Sequence, residues 1–327
     1  MAVSLRYTSR CFKEHRGGKA LDHPVTHTPV LPRECVQLLD VHPGGHYIDC
    51  TIGTGGHALA ILERSMPGGR LLGIDLDPQA LEVAVKRLEA YGENVILVNE
   101  NFRHLESICA RFQFHPVDGI LFDLGMSWLQ LENPSRGFSF RFEGPLDMRF
   151  DLTQPTTAAS LVNQLSEAEL AGLLERYGEE RRGRLIAKKI VAGRPFSTTL
   201  QLVSTVEQVL GRSGRIHPAT RTFQALRIAV NQELSNLEEA LSQTVRLLSP
   251  GGRLAVISYH SLEDRLVKRF MRQESKGCLC PPRVPVCTCG HSVTLRLINR
   301  KPITPSHGEK EANPRSRSAK LRVADRL

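Results

Sequence analysis

The sequence predicts an α/β fold in which a parallel sheet carries helices on both faces and is interrupted past its middle by an all-helical segment. Three observations predict it. From Gly45 to Asp123, short β-rich runs alternate with helical stretches, the rhythm of βαβ units. Residues 158–210 then read as helices only. After them SPGGRLAVISYH, at 249–260, supplies one more turn and a buried strand, so the sheet resumes after an insertion.

Each element has its own signal. The β-rich runs are HYIDC (46–50), RLLGID (70–75), VILVN (95–99) and DGILFD (118–123), and helices are predicted over 58–64, 79–91 and 105–112. Residues 124–157 are loop-rich, with NPSRGFSFRFEGPLDMRFD placing aromatics and arginines between glycines and prolines. Ser166 and Glu169 fit a capping box, in which side chain and backbone satisfy each other at a helix start. Phe223, Leu226, Val230, Leu234, Leu237 and Leu241 form one apolar stripe at helical spacing. The predicted organisation is a leader over 1–26, a sheet domain over 27–133 and 217–305, an inserted helical subdomain over 134–216 and an exposed basic arm over 306–327.

Composition narrows the function classes. With 327 residues, 41% hydrophobic and 24% charged, the chain supports a sizeable core without staples. No run approaches the roughly 20 apolar residues that cross a bilayer, so a membrane span of that kind is excluded. Arg6, Arg10, Lys13, Arg16 and Lys19 against Glu14 give a basic leader without a secretory apolar core; disorder is expected there, a transit peptide being the alternative. The net charge of +9 points to a polyanionic partner such as nucleic acid. Cys11, Cys35, Cys50 and Cys109 are scattered and expected reduced, which fits a cytoplasmic protein.

The first strand runs into Gly53, Gly55 and Gly56 and then a helix. In that context the backbone can approach a ligand and helix N–H groups face it, and Gly53 to Ala58 fits G-x-G-x-x-A. The next strand ends in Asp75, nineteen residues beyond Gly56, where an acid would hold a ribose hydroxyl pair. Asp77, before Pro78, is the better helix cap. Phe102, after the third strand, is placed to lie on an adenine or to fill core. NAD and S-adenosylmethionine both suit this arrangement. The fourth strand ends at Asp123, where a methyltransferase places an acceptor amine, and no dehydrogenase acid-base pair stands out; with the basic balance this favours methyl transfer.

Several blocks carry a resemblance: HTPVLPRE (27–34), GTGGHA (53–58), GIDLDP (73–78), DGILFDLGMSWLQL (118–131), RGFSFRFEGPLDMRFD (136–151), YGEE (177–180), HPATRTFQALRIAVNQEL (217–234), ISYHSLEDRLVKRF (257–270) and NPRSRSAKLR (313–322). Together they resemble the bacterial 16S ribosomal RNA cytosine-N4 methyltransferase family over nearly the whole chain. The resemblance implies a class I methyltransferase sheet with a helical insertion, S-adenosylmethionine as cofactor, and the small ribosomal subunit with its 16S RNA as partner. It places cofactor contacts on Gly55, Gly56, His57, Asp75, Phe102, Asp123 and Gln130. The chain departs from the family at Met126, Ser127 and Trp128, where small residues are common.

Asp123, with the carbonyls of 123–125, is the candidate to hold the target amine. Arg221, Arg227, Arg315, Arg317 and Lys320 are candidate phosphate contacts, and Phe138 and Phe140 either stack on bases or anchor their loop. His260, Ser261 and Asp264 suggest a hydrolase, but no elbow glycines surround Ser261. Methyl transfer requires no metal, and none is assigned to the reaction. CLCPPRVPVCTCGH nonetheless offers Cys278, Cys280, Cys287, Cys289 and His291, enough for a tetrahedral zinc of structural type. Other amine methyltransferases, or a ribosome-assembly factor that binds RNA without turnover, are the rival functions. Oligomeric state is not encoded in any pattern above.

Overall fold

The computed structural model describes residues 28–212, 216–281 and 286–327, with the backbone of Arg6–Thr8. It comprises two compact units, Met1–Gly125 with Asn236–Leu327, and Met126–Ser235. The chain runs through β1 (Arg6–Thr8), α1 (Pro32–Leu38), β2 (His46–Asp49), α2 (Gly56–Ser65), β3 (Arg70–Asp75), α3 (Pro78–Leu88), β4 (Val95–Asn99), α4 (Leu105–Arg111) and β5 (Val117–Asp123). The helical unit holds α5 (Trp128–Glu132), α6 (Ala158–Gln164), α7 (Glu167–Gly178), α8 (Gly183–Ala192), α9 (Thr199–Leu210) and α10 (Thr220–Asn231). Then come α11 (Glu233–Leu247), β6 (Leu248–Ser258), α12 (Ser261–Glu274), β7 (Leu295–Leu297), α13 (His307–Ala312) and β8 (Lys320–Arg326).

The strand order is β1-β4-β3-β2-β5-β6-β8-β7. Strands β1 to β6 pair in parallel, while β8 lies antiparallel between β6 and β7. Parallel strands need both faces covered, and successive side chains supply both. Ile48, Leu72, Ile96, Phe122 and Val256 pack with α4, α11 and α12 on one face. Their neighbours Tyr47, Leu71, Leu97, Leu121 and Ile257 pack with α1, α2 and α3 on the other. The fold is the doubly wound class I methyltransferase sheet that the sequence led us to expect.

The helical unit has a separate core. Leu170 and Leu174 of α7 meet Ile186 and Ile190 of α8, Leu202 and Val206 of α9, and Phe223, Leu226 and Val230 of α10. Ser127, Thr157, Ser166 and Thr198 open α5, α6, α7 and α9 with capping boxes, of which sequence inspection found the one at Ser166. Such caps satisfy the orphan N–H groups of these short helices.

Three expectations change. The apolar stripe is two helices, because Gln232 adopts a left-handed conformation (φ 51°) and ends α10. Phe223, Leu226 and Val230 therefore join the helical core, whereas Leu237 and Leu241 join the sheet, and the helical unit extends to Met126–Ser235 rather than 134–216. The basic arm is also partly interior. Lys320–Arg326 is a full strand whose Leu321, Val323 and Ala324 are buried along with Arg322 and Asp325, so both of its faces are covered. Of the leader, Arg6–Thr8 pairs in parallel with β4, and the rest of the expected disorder lies outside the described residues.

Candidate functional site

β2 is where the winding of the sheet reverses, with β3 and β4 on one side and β5 and β6 on the other. In such sheets the ligand crevice lies outside the carboxyl ends of the strands at this switch point. Here β2, β3 and β5 each end in aspartate, Asp49, Asp75 and Asp123, and β4 leads within three residues to Phe102. Adjacent strands thus bring three of the expected residues, Asp75, Phe102 and Asp123, to one rim, with Asp49 beside them.

Gly53 (φ 50°) and Gly55 (φ 80°) take left-handed backbone conformations that other residues adopt at a cost. The turn they allow aims the Gly53 N–H at Asp75 Oδ2, 2.8 Å away, while Asp75 Oδ1 accepts the Asp77 N–H at 2.9 Å. One carboxylate therefore fixes the glycine turn to the end of β3. Gly55 caps α2, and a side chain at Gly56 would press on Pro29 at 3.3 Å. Asp77 is the cap of α3, as expected, accepting the Gln79 N–H at 3.0 Å.

Asp123 is held from several sides. Its Oδ1 accepts the Tyr259 hydroxyl at 2.7 Å, its Oδ2 lies 3.5 Å from His57 Nδ1, and its N–H donates to Thr51 Oγ1 at 2.6 Å. His57 Nε2 donates to the Val30 carbonyl at 2.8 Å, since a carbonyl has no proton to give. His57 Nδ1 therefore faces Asp123.

Asp49 is 1% exposed, and its Oδ1 accepts the Thr51 N–H at 3.1 Å. Its Oδ2 is buried with no hydrogen-bond partner in the protein. Burial raises the pKa of all three acids. Asp49 rises to about 6 despite nearby His57, and Asp75 to about 7 despite the Asp77 and Gly53 N–H groups. Asp123 also rises, against the pull of His57 and Tyr259. Cys35 and Cys50 are buried thiols with pKa pushed well up, chiefly by desolvation. A cavity of about 450 Å³ opens between α1 and α2 but includes none of these acids.

Asp49, Thr51 and Tyr259 escaped sequence inspection. The available signal was that HYID ends a strand in aspartate just as RLLGID and DGILFD do. Phe102 is half-buried and meets Phe122 edge to face at 5.6 Å. Gln130 lies in the helical unit, 3% exposed, and its Oε1 accepts the Ser127 N–H at 2.9 Å to close a capping box. Phe138 stacks on Phe150 and Phe140 on His217, which makes them loop anchors. His260 caps α12 through Nδ1, so the suspected hydrolase trio has a structural explanation.

Arg227 corrects an expectation. It is buried, and its Nε and Nη2 donate to the two oxygens of Glu233 at 2.8 and 2.9 Å, so it is no surface phosphate contact. Lys320 is half-buried with Nζ 3.3 Å from Asp264, and Arg221 reaches the Glu179 carbonyl at 3.4 Å. Arg315 and Arg317 are exposed on the turn Pro314–Ser318. Arg227→Ala is expected to lower stability by about 3 kcal/mol, because it strands Glu233. Arg317→Ala is expected to spare stability and to reduce the salt slope of RNA binding by about one. Thermal melts and salt-dependent RNA titrations check both, and an Arg227→Ala protein of normal stability with a reduced salt slope would reverse the assignment.

The pattern of the MraW methylase family matches residues 24–327. The chain belongs to that family. A relative named Ribosomal RNA small subunit methyltransferase H, from Dehalococcoides mccartyi, is 57% identical over 302 residues, 92% of this chain and 86% of its own. Proteins of the same name from Thermomicrobium roseum (54% over 318 residues; 95% and 98%) and Brevibacillus brevis (47% over 307 residues; 92% and 98%) are also similar. Among the described residues no helix is long and apolar enough to cross a membrane. Membership of a methylase family joins the acidic rim at the switch point to methyl transfer.

Proposed function

We propose that this chain methylates the exocyclic N4 amine of one cytidine in the decoding region of 16S ribosomal RNA. The observation that carries the proposal is the acidic rim, with Asp123 fixed by His57 and Tyr259 beside the ends of β2 and β3. The relatives' names supply the ribosomal substrate. S-adenosylmethionine is the methyl donor and supplies an electrophilic methyl group on a sulfonium.

The rim suits that cofactor. Asp49 Oδ2, buried without a partner, provides an acceptor for its ammonium group. Asp75 keeps lone pairs for ribose hydroxyls beyond the two N–H bonds it already accepts. Phe102 offers an apolar wall for adenine, and Gly55, Gly56 and His57 shape the approach. Gln130 is assigned by the family motif alone.

The acceptor chemistry favours an amine. Methylation of a cytosine ring carbon calls for a thiolate to activate the ring, and Cys35 and Cys50 are held as neutral thiols. N4 needs positioning instead. Its lone pair is delocalised into the ring, and a carboxylate accepting an N4 hydrogen turns that lone pair toward the methyl group. As the N–CH₃ bond forms and the S–CH₃ bond breaks, N4 becomes acidic, and Asp123 is the first acceptor for its proton. The base must be splayed out of any helix to reach the rim.

Incubation with labelled S-adenosylmethionine and either undermethylated small subunits or naked 16S RNA, followed by nucleoside mass spectrometry, tests this. N4-methylcytidine at one site is the expected product, and the better substrate reveals whether the assembled subunit is needed. A different methylated nucleoside, or RNA binding without turnover, would overturn it, the latter in favour of an idle assembly factor.

A further inference from the structure

We propose that Cys278, Cys280, Cys287 and Cys289 form a structural zinc site in the segment joining α12 to β7. Their four Sγ atoms all lie within 4.8 Å of one another. Three of the separations are 3.4 Å (Cys278 to Cys287), 3.5 Å (Cys287 to Cys289) and 3.9 Å (Cys278 to Cys289). A tetrahedral zinc with bonds of about 2.3 Å places its sulfurs about 3.8 Å apart. A disulfide, at about 2.05 Å, matches none of these, and the four are not joined in disulfides. Terminal sulfurs this close surround one ion and leave no room for a multinuclear iron–sulfur cluster.

The surrounding backbone favours thiolates. The N–H groups of Leu279, Cys280 and Thr288 donate to the sulfurs of Cys289, Cys278 and Cys280, each at 3.4 Å. Such donors stabilise negative sulfur, the form that ligates metal. His291 lies outside the cluster of four sulfurs, with its Nε2 donating to the Gln273 carbonyl at 3.1 Å. The site is Cys₄.

Among the described residues of the segment no apolar cluster closes the loop, since Leu279, Val286 and Val293 are 42%, 71% and 41% exposed. Its anchorage at the far end is the Thr294 N–H to Glu274 carbonyl bond at 2.9 Å and buried Leu295. An ion joining two Cys-x-Cys arms supplies the missing cross-link. None of these residues takes part in the acidic rim, so the proposal is independent of the reaction.

Full-length protein purified without added metal, analysed by inductively coupled plasma mass spectrometry, should carry about one zinc per chain. Cys280→Ser with Cys289→Ser should lower that content at least tenfold. Exchange of wild-type protein with Co²⁺ should give the intense visible bands of tetrahedral cobalt thiolate, a readout independent of how the variant folds. Wild-type protein without stoichiometric zinc, with iron in its place, or with an intact mass four hydrogens short as in two disulfides, would overturn the proposal.

Discussion

Asp123→Asn is expected to fold normally and to lose about 10²–10³-fold in kcat, the scale of removing one preorganised electrostatic contact to a reacting group. The asparagine keeps the local network. Its oxygen accepts the Tyr259 hydroxyl, and its amide nitrogen takes the place of the oxygen that faces His57 Nδ1. Charge and one acceptor position are lost, and these are what the N4 hydrogen requires. Asp123→Ala should lose at least as much, but it also leaves Tyr259 without its partner, which costs about 1–3 kcal/mol of stability. Kinetics at saturating S-adenosylmethionine separate two roles: a role toward the amine lowers kcat, whereas a role toward the cofactor weakens its binding and spares kcat. A kcat within a fewfold of wild type would remove Asp123 from the chemistry.

Much of this arrangement was legible because parallel strands are buried on both faces and therefore read as continuous apolar runs. HYID, RLLGID, VILVN and DGILFD are such runs, and their polar last residues mark where the strands emerge at the crevice. That position makes Asp75 and Asp123 legible, and Asp49 follows the same rule. Tyr259 could not be found. Its partnership with Asp123 joins β6 to β5 across 136 residues, a contact set by strand order and not by spacing. KLRVADR is harder to read, because Arg322 and Asp325 are buried among its apolar residues. Its Lys320 and Arg322 are tied to the half-buried Asp264 of α12, at 3.3 and 2.7 Å, so part of the positive charge there is matched within the protein. Arg227 repeats the lesson, since a bidentate partner six residues along the chain was invisible while the turn at Gln232 went unseen.

Asp49→Asn should change stability and cofactor binding in opposite directions. A folded-state pKa of about 6 stands above the ordinary 3.8, so the folded protein holds this proton more tightly than the unfolded chain does. Stability from this group is complete below about pH 4 and falls as pH rises toward about 6. The loss is about 3 kcal/mol in all, and roughly half of it remains to be lost above pH 5. Asparagine cannot ionise, so the difference in stability, variant minus wild type, should climb by about 1–2 kcal/mol between pH 5 and pH 8. Binding moves the other way. Without the negative oxygen that no protein group satisfies, S-adenosylmethionine should bind about 10–100-fold more weakly, the value of a hydrogen bond to a charged group. Paired melts across that pH range and calorimetric titrations at pH 8 measure both. A variant with unchanged affinity and no pH-dependent gain would show that Asp49 is an ordinary strand-end acid. The opposed pair of effects would show a carboxylate kept in an unfavourable place for its ligand, a common cost of binding sites.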